Sequence, residues 1–220
     1  MILVAIVNGK GGVGKSTLTA ALSVRASQES SRVALVDLDP QGSLRDWYKI
    51  RGKPANPTIL LGARTPTEAA ESLAQTGWDW VFFDGAPQGI DSTDELINLA
   101  DIVIVPVKPS MMDLKATHEI IELAKDAGAN YKIVLSDIVQ TDRRLAHQAR
   151  LLFENSHIPI AIQQIAHRLS HVTSMNVGRT VQEITTKRDR DETACEEIEA
   201  LWLEVKAMAT VSNRKKASAA

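Results

Sequence analysis

The sequence predicts an α/β fold, with a single doubly wound and mostly parallel sheet that has helices on both faces. Runs of Ile, Val and Leu alternate with helical patterns along 220 residues, and a glycine-rich turn joins the first run to the first helix. Runs that are apolar at every position are typical of strands buried on both faces. This length fits one domain with a sizeable core. We expect that domain to span residues 1–210 and to be followed by a disordered basic tail at 211–220.

Each strand is predicted from an apolar run, and each helix from apolar residues at helical spacing. The predicted strands are 2–7, 32–38, 58–61, 79–84, 102–107, 132–135 and 159–165. The predicted helices are 16–28, 67–75, 91–99, 114–127, 143–155 and 191–209. Ligands of such sheets bind at the carboxyl ends of the strands. The residues that follow each strand are therefore the candidates for a site.

The turn after the first strand predicts a site for a nucleoside triphosphate. Its spacing, Gly9-x-x-x-x-Gly14-Lys15-Ser16, fits the P-loop pattern. The backbone N–H groups of such a loop cradle phosphates, the lysine reaches the β/γ-phosphates, and the hydroxyl completes the Mg²⁺ shell. We expect ATP to be bound by Gly11, Gly12, Val13, Gly14, Lys15, Ser16 and Thr17.

The second strand ends in two aspartates, Asp37 and Asp39. Alternation along a strand places their side chains on the same side. There the carboxylates can hold Mg²⁺-bound water and orient an attacking water molecule. The alternative is that they are loop aspartates that cap a helix.

Composition narrows the class of protein. The formal net charge is −2, so any contact with nucleic acid has to come from a local patch. The single cysteine, Cys195, excludes a disulfide framework within one chain and suits a reducing cytoplasm. No apolar run approaches the roughly 20 residues of a membrane span, and a first strand at residue 2 leaves no room for a signal peptide. We therefore expect a cytoplasmic protein.

A second lysine in the glycine-rich turn carries a family resemblance. Residues 10–17, KGGVGKST, resemble the deviant Walker A motif of the ParA/MinD family of ATPases. The resemblance implies that Lys10 reaches the phosphates of a partner subunit, so that ATP joins two copies of the chain. A solvated loop lysine is the alternative. Residues 37–42 are similar to the family's D-x-D-P-Q-G switch, which implies that Asp39 positions the hydrolytic water and that Asp37 supports the magnesium site.

Further segments extend the resemblance over nearly the whole chain. Residues 78–87 resemble a Walker B strand and its switch, which implies that Asp84 lies in the outer shell of Mg²⁺. Ala86 stands where the family usually has the first of two prolines. Residues 106–113 are similar to the P-V-x-P-S-x-x-D stretch of small plasmid-type ParA proteins, and residues 178–183 to a G-x-T/S-V-x-E segment. Because the first strand begins at residue 2, we do not expect the N-terminal helix-turn-helix extension of larger ParA proteins.

The C-terminal third is more basic than the rest of the chain. Residues 140–190 contain eight lysines or arginines against four acidic residues. ParA-like dimers bind DNA non-specifically through this part of the chain, so the resemblance implies a DNA-binding surface. A solvated helix face is the alternative. The candidate residues are Arg143, Arg144, Arg168, Lys187 and Arg188.

The resemblance as a whole implies an ATPase that uses ATP and Mg²⁺ as a dimerisation switch. The homodimer would bind non-specific DNA, associate with the nucleoid, and partition or position a plasmid, a chromosome or another cargo. Hydrolysis would be weak alone and stimulated by a ParB-like adaptor protein.

Two other functions remain as alternatives. A small-molecule ligase of the dethiobiotin-synthetase type would use ATP to activate a substrate carboxylate or carbamate, but Lys10 and the D-x-D-P-Q-G switch argue against it. A MinD-like protein would attach to membranes through a basic amphipathic last helix. Here acidic residues flank the apolar side of that helix, so we expect it to pack against the domain. These residues are Glu196, Glu197, Glu199 and Glu204.

Overall fold

The strands form one parallel sheet. The computed structural model describes residues 1–63, 65–87, 90–139 and 143–219. The strand bounds are β1 Ile2–Ile6, β2 Val33–Asp37, β3 Thr58–Leu60, β4 Trp80–Asp84, β5 Ile102–Val107 and β6 Tyr131–Leu135. Their order in the sheet is β3-β2-β4-β1-β5-β6. The predicted α/β fold is confirmed.

Helices cover both faces of the sheet. Their bounds are α1 Lys15–Gln28, α2 Ser43–Ile50, α3 Pro66–Ala74, α4 Ile90–Leu99, α5 Met111–Asp126, α6 Arg143–Asn155, α7 Leu169–Asn176 and α8 Glu192–Ala219. Val4 and Ile6 pack in one buried cluster with α1, α2 and α8. Leu3 and Ala5 pack in a second cluster with α3, α4, α5 and α6. This two-sided burial explains why the strands are apolar at every position.

The segment predicted as a seventh strand, residues 159–165, is not a continuous strand. One isolated bridge joins Ile160 to Ile133 of β6, and a second joins Ala166, just past the segment, to Ile138, which lies beyond β6. Between the bridges the segment advances six residues, from 160 to 166, while the neighbouring segment advances five, from 133 to 138. The pairing register therefore changes, and no continuous ladder forms. The intervening amides of residues 162 and 163 donate instead to the Glu204 carboxylate.

Two helices were missing from the sequence prediction. Helix α2 buries Leu44, Trp47 and Tyr48 against the sheet, and their helical spacing is visible in the sequence. Helix α7 is short, and His171 and Ser174 are its buried residues. Because these residues are polar, α7 carries no amphipathic signal of the usual kind.

The last helix packs against the domain, as predicted. Ile198, Leu201, Trp202 and Val205 are at most 1% exposed. The backbone of residues 211–219 continues this helix, although we expected disorder there; the two alanines, two lysines and one arginine of this stretch favour helix. The division at residue 210 stays a prediction, and Ala220 lies outside the described residues, as do residues 140–142 of the basic segment. No helix in the described part of the chain is both long enough and apolar enough to span a membrane.

Candidate functional site

The phosphate loop, residues 8–17, joins β1 to α1. Gly12 and Gly14 adopt left-handed backbone conformations, with φ of +73° and +90°, and an added Cβ at either would meet nothing within 4 Å. Backbone conformation, not crowding, therefore requires glycine at these positions. Gly14 is the N-cap of α1, and it lacks a side chain that could bond the first N–H groups of the helix. The N-terminus of α1 can therefore bind an anion.

Two buried side chains fix this loop, and sequence analysis missed the role of both. The Asn8 side-chain amide donates to the Pro106 carbonyl at 2.8 Å, and its Oδ1 accepts from the Lys10 amide at 2.8 Å. The Ser136 hydroxyl, just after β6, donates to the Val13 carbonyl at 2.8 Å. Asn8 belongs to the motif, but no sequence signal connects Ser136 to a residue 123 positions earlier.

The two lysines of the loop lie in different environments. Lys15 is 6% exposed, and its Nζ donates to the Lys10 carbonyl at 2.8 Å. Burial lowers the pKa of Lys15, and the charges of Asp84 and Asp39 oppose that shift. The side chain of Lys10 is only half-buried. One lysine thus lies inside the site, whereas the other keeps access to solvent.

Asp84 is a buried carboxylate at the end of β4. It is 0% exposed, and no donor among the described residues makes a well-formed hydrogen bond to either carboxylate oxygen. The pKa of Asp84 is raised to about 7, chiefly by burial and also by the charge of Asp37, against the opposing effects of the Ser16 hydroxyl and the Lys15 charge. An orphaned acid of this kind indicates a place for a cation or a proton.

Asp37 ends β2 directly beside Asp84, in register with it. Its carboxylate accepts from the Asp39 amide at 3.0 Å and from the Arg45 amide at 2.8 Å. Since Arg45 lies in the first turn of α2, Asp37 caps that helix, which is the alternative that the sequence left open. Burial raises the pKa of Asp37, and the bonds from Arg45 lower it.

Asp39 lies in the turn between β2 and α2. It is 8% exposed, and its carboxylate accepts from the Gln41 amide at 2.9 Å. Its charge acts on both Lys15 and Asp84, so the turn brings it into the same cluster. The structure thus brings together Lys15, Asp37, Asp39 and Asp84, as the sequence predicts. We call this cluster, together with residues 8–17, the phosphate-loop edge.

The phosphate-loop edge fits a magnesium ion. Asp84 offers two carboxylate oxygens without a partner among the described residues, Ser16 offers a hydroxyl beside it, and Asp37 adds a second acid. Oxygen donors of this type are those that Mg²⁺ prefers, together with water and substrate phosphates. These three residues are the ones that sequence analysis selected.

A cavity of about 300 Å³ opens beside the phosphate loop. Gly12, Gly14 and Thr17 line one side, and Ile165 and His171 line another. Burial lowers the pKa of His171, so its ring is neutral at pH 7. Asp137 and Arg168 also line this cavity, and each is held in ion pairs. A partly apolar cavity next to a phosphate-binding loop suits the base of a nucleotide.

The five basic candidates differ in their surroundings. Arg143, Arg144, Lys187 and Arg188 are exposed. The guanidinium of Arg168 is instead paired with Glu197 at 2.8 Å and with Asp191 at 3.6 Å, and its side chain is only 18% exposed. Its contacts tie α7 to α8, so Arg168 has a structural role whatever else it does.

A parallel sheet with a phosphate loop between β1 and α1, and with acids at the ends of β2 and β4, defines a P-loop nucleotide-binding protein. The chain belongs to the CobQ/CobB/MinD/ParA nucleotide binding domain family, whose model matches residues 4–217. The resemblance to ParA/MinD proteins is therefore confirmed, and the chain is an ATPase of this family.

Individual relatives match over most of the chain. Maintenance of carboxysome distribution protein A of Halothiobacillus neapolitanus is 30% identical over 91% of this chain and 94% of its own length. The chromosome-partitioning ATPase Soj of Thermus thermophilus is 29% identical over 63% of this chain and 68% of its own.

Solved structures share the fold. A chain of the MinC:MinD complex of Aquifex aeolicus matches with a TM-score of 0.72 at 18% identity. The match covers 94% of this chain and 96% of that chain. The ATP complex of Cyanothece McdA has a TM-score of 0.65 at 16% identity, over 91% of this chain and 96% of its own.

Proposed function

We propose that this protein is an ATP-driven dimerisation switch that binds DNA without sequence preference and positions a cargo. The contrast between the two loop lysines carries the proposal. Lys15 is 6% exposed among acids of its own subunit, so it serves phosphates bound in that subunit. Lys10 keeps part of its side chain in solvent, which leaves its ammonium group available to phosphates bound by a second copy.

The proposed hydrolysis needs few groups, because positioning and charge neutralisation carry most of phosphoryl transfer. Lys15 binds the terminal phosphates of ATP, and Asp39 orients the attacking water. Asp84, Ser16 and Asp37 hold Mg²⁺, which neutralises phosphate charge when it is bound. The reaction is slow in the protein alone, and an adaptor of the ParB type accelerates it.

The proposed DNA surface is formed by the exposed basic residues, with Arg144, Lys187 and Arg188 as its main contacts. Contacts between such side chains and phosphates give binding that weakens as salt increases. We expect Lys187→Glu to weaken binding of the ATP-bound protein to a mixed-sequence duplex and to reduce the salt dependence. Lys125→Glu is the control, since Lys125 is exposed at the far end of α5. Equal DNA affinity of the two variants contradicts a contact by Lys187.

The cargo is proposed from the relatives. One is named for carboxysome distribution and another for chromosome partitioning. We propose that the cargo is likewise either a large protein assembly or a DNA molecule, and that the adaptor links it to the ATPase. The protein then resides in the cytoplasm and associates with the nucleoid while ATP is bound.

Light scattering with Lys10→Ala tests the switch. The wild type and the control Lys125→Ala are expected to double in mass with ATP and Mg²⁺ but not with ADP, whereas Lys10→Ala stays monomeric. A Lys10→Ala variant that dimerises like the wild type contradicts the role of Lys10. A wild type that ignores ATP contradicts the switch itself and favours a substrate-directed ligase. Binding of the ATP form to anionic lipid vesicles instead of DNA favours the MinD-like alternative.

A further inference from the structure

Arg45, in the first turn of α2, contacts both ends of the segment that carries Asp39. Its Nη2 donates to the Asp39 carbonyl at 3.0 Å and to the Pro40 carbonyl at 3.4 Å. Its Nε lies 3.5 Å from the Asp37 carboxylate, to which its backbone amide also donates. One guanidinium therefore joins the side chain of the first aspartate to the main chain of the second.

The backbone of Gly42 lies close to this guanidinium, although the Arg45 side chain is 39% exposed. Gly42 has a φ of +68°, and a Cβ at that position would lie 2.8 Å from Nη2 of Arg45. The Gly42 amide donates to the same Asp39 carbonyl at 2.9 Å. The Gln41 amide holds the Asp39 carboxylate from the opposite end of the residue. The orientation of Asp39 thus depends on a turn whose carbonyl groups accept hydrogen bonds from Arg45.

We propose that Arg45 is a positioning residue for ATP hydrolysis. Its guanidinium holds the turn of residues 39–42, and the turn holds the Asp39 carboxylate where it orients the attacking water. This inference rests on the proposed role of Asp39 in hydrolysis. Arginine is required because its planar fork donates in several directions at once, whereas a lysine at this position keeps the charge beside Asp37 but not the fork.

The experiment compares ATP turnover in the wild type, Arg45→Ala, Arg45→Lys and Asp39→Ala at saturating Mg²⁺. Lys49→Ala is the matched control, because Lys49 lies on the same helix, is exposed, and pairs with Asp46. We expect kcat of Arg45→Ala to fall at least about tenfold, since small displacements of a catalytic group are costly. Its KM for ATP and its ATP-dependent dimer are expected to match the wild type. Asp39→Ala is expected to keep the dimer and to lose turnover.

The Arg45→Lys variant distinguishes the hydrogen bonds to the Asp39 and Pro40 carbonyls from the positive charge beside Asp37. We expect this variant to need the same Mg²⁺ concentration as the wild type for half-maximal rate and to keep the low kcat of Arg45→Ala. Restoration of the full kcat by lysine means that only the charge beside Asp37 matters, and this overturns the proposal. A normal kcat in Arg45→Ala overturns it as well. If Arg45→Ala does not fold, Arg45→Gln, which keeps an N–H donor without the charge, is measured against the same criteria.

The wild type separates this inference from the proposed function. A wild type without ATP turnover and without ATP-dependent dimers contradicts the switch itself. A wild type that turns over ATP, with Arg45→Ala equally active, contradicts only the role of Arg45.

Discussion

Asp84 and Glu204 are two largely buried carboxylates that this protein satisfies in opposite ways. Burial raises the pKa of Glu204, but Lys132 and the amides of residues 162 and 163 more than offset it and lower that pKa. The Lys132 ammonium lies 2.7 Å from Glu204. Asp84 has no well-formed hydrogen bond from any described residue, and its pKa is raised to about 7.

The difference separates a structural region from a functional one. We call residues 192–209 and the side chains they contact the α8 face. There the apolar side chains are buried and the Glu204 carboxylate is paired, so the contacts of Glu204 stabilise the fold. At the phosphate-loop edge the buried Asp84 receives no well-formed hydrogen bond from the described residues, which costs roughly 1–3 kcal/mol. Such a group persists where a ligand satisfies it.

Trp202→Ala tests the structural side. Trp202 is 0% exposed and packs edge-on against Trp80, with ring centroids 4.8 Å apart. The lost burial and the cavity are expected to lower the free energy of unfolding by about 3–5 kcal/mol, measured by urea denaturation. Leu203→Ala, at a half-exposed neighbouring position, is the control and is expected to cost far less. A folded Trp202→Ala protein that has lost ATP affinity contradicts the separation of the two regions.

Asp84→Asn tests the functional side, and its effect on stability has the opposite sign. The folded pKa of about 7 lies above the ordinary 3.8, so the folded state binds more protons between these values and stability falls as pH rises. Removing the charge is expected to raise the free energy of unfolding by at most about 4 kcal/mol at pH 8 and by little at pH 4. Mg²⁺-dependent ATP binding is expected to be lost. Equal destabilisation at both pH values contradicts the raised pKa.

Lys15→Ala removes the buried cation of the phosphate loop. ATP affinity is expected to fall at least about 100-fold, because the terminal phosphates lose a charge-assisted contact in a water-poor site. Equilibrium binding of a fluorescent ATP analogue measures the loss. Lys125→Ala is the control. Unchanged affinity in Lys15→Ala rules out the assigned phosphate site.

Glu204→Gln is the structural counterpart of Asp84→Asn. The folded pKa of Glu204 is lowered, so its charge stabilises the fold above the ordinary value of 4.5, and this contribution is lost as pH falls. At pH 7 we expect a loss of about 1–3 kcal/mol, which shrinks towards pH 3. Glu196→Gln, an exposed position on the same helix, is expected to be neutral. If Glu204→Gln increases the free energy of unfolding, the result contradicts a stabilising role of the Glu204 carboxylate and with it the difference from Asp84.

The parts that the sequence predicted well are those that depend on local pattern. The parallel strands follow from unbroken apolar runs, and the loop from its glycine and lysine spacing. Helix α2 was missed although its spacing is local, whereas two other missing features depend on contacts between distant residues. Ser136 reaches the loop across 123 positions, and the register slip before Ala166 depends on bonds to Arg150 and Glu204. Neither leaves a pattern in its own segment.

Asp37 shows a different limit of sequence reasoning. The spacing of the two aspartates allowed either a magnesium site or a helix cap. In the structure Asp37 caps α2 and also lies beside Asp84, so the two interpretations describe one residue. The spacing alone contains no signal for this double role, because α2 was not predicted.

Sedimentation of the wild-type protein with ADP, with ATP and Mg²⁺, and with both ATP and a mixed-sequence DNA duplex tests the dimerisation switch. We expect monomers with ADP, dimers with ATP, and dimers that sediment with DNA at low salt and separate from it at high salt. A monomer in all three conditions, or a dimer that responds to neither nucleotide nor DNA, contradicts the switch.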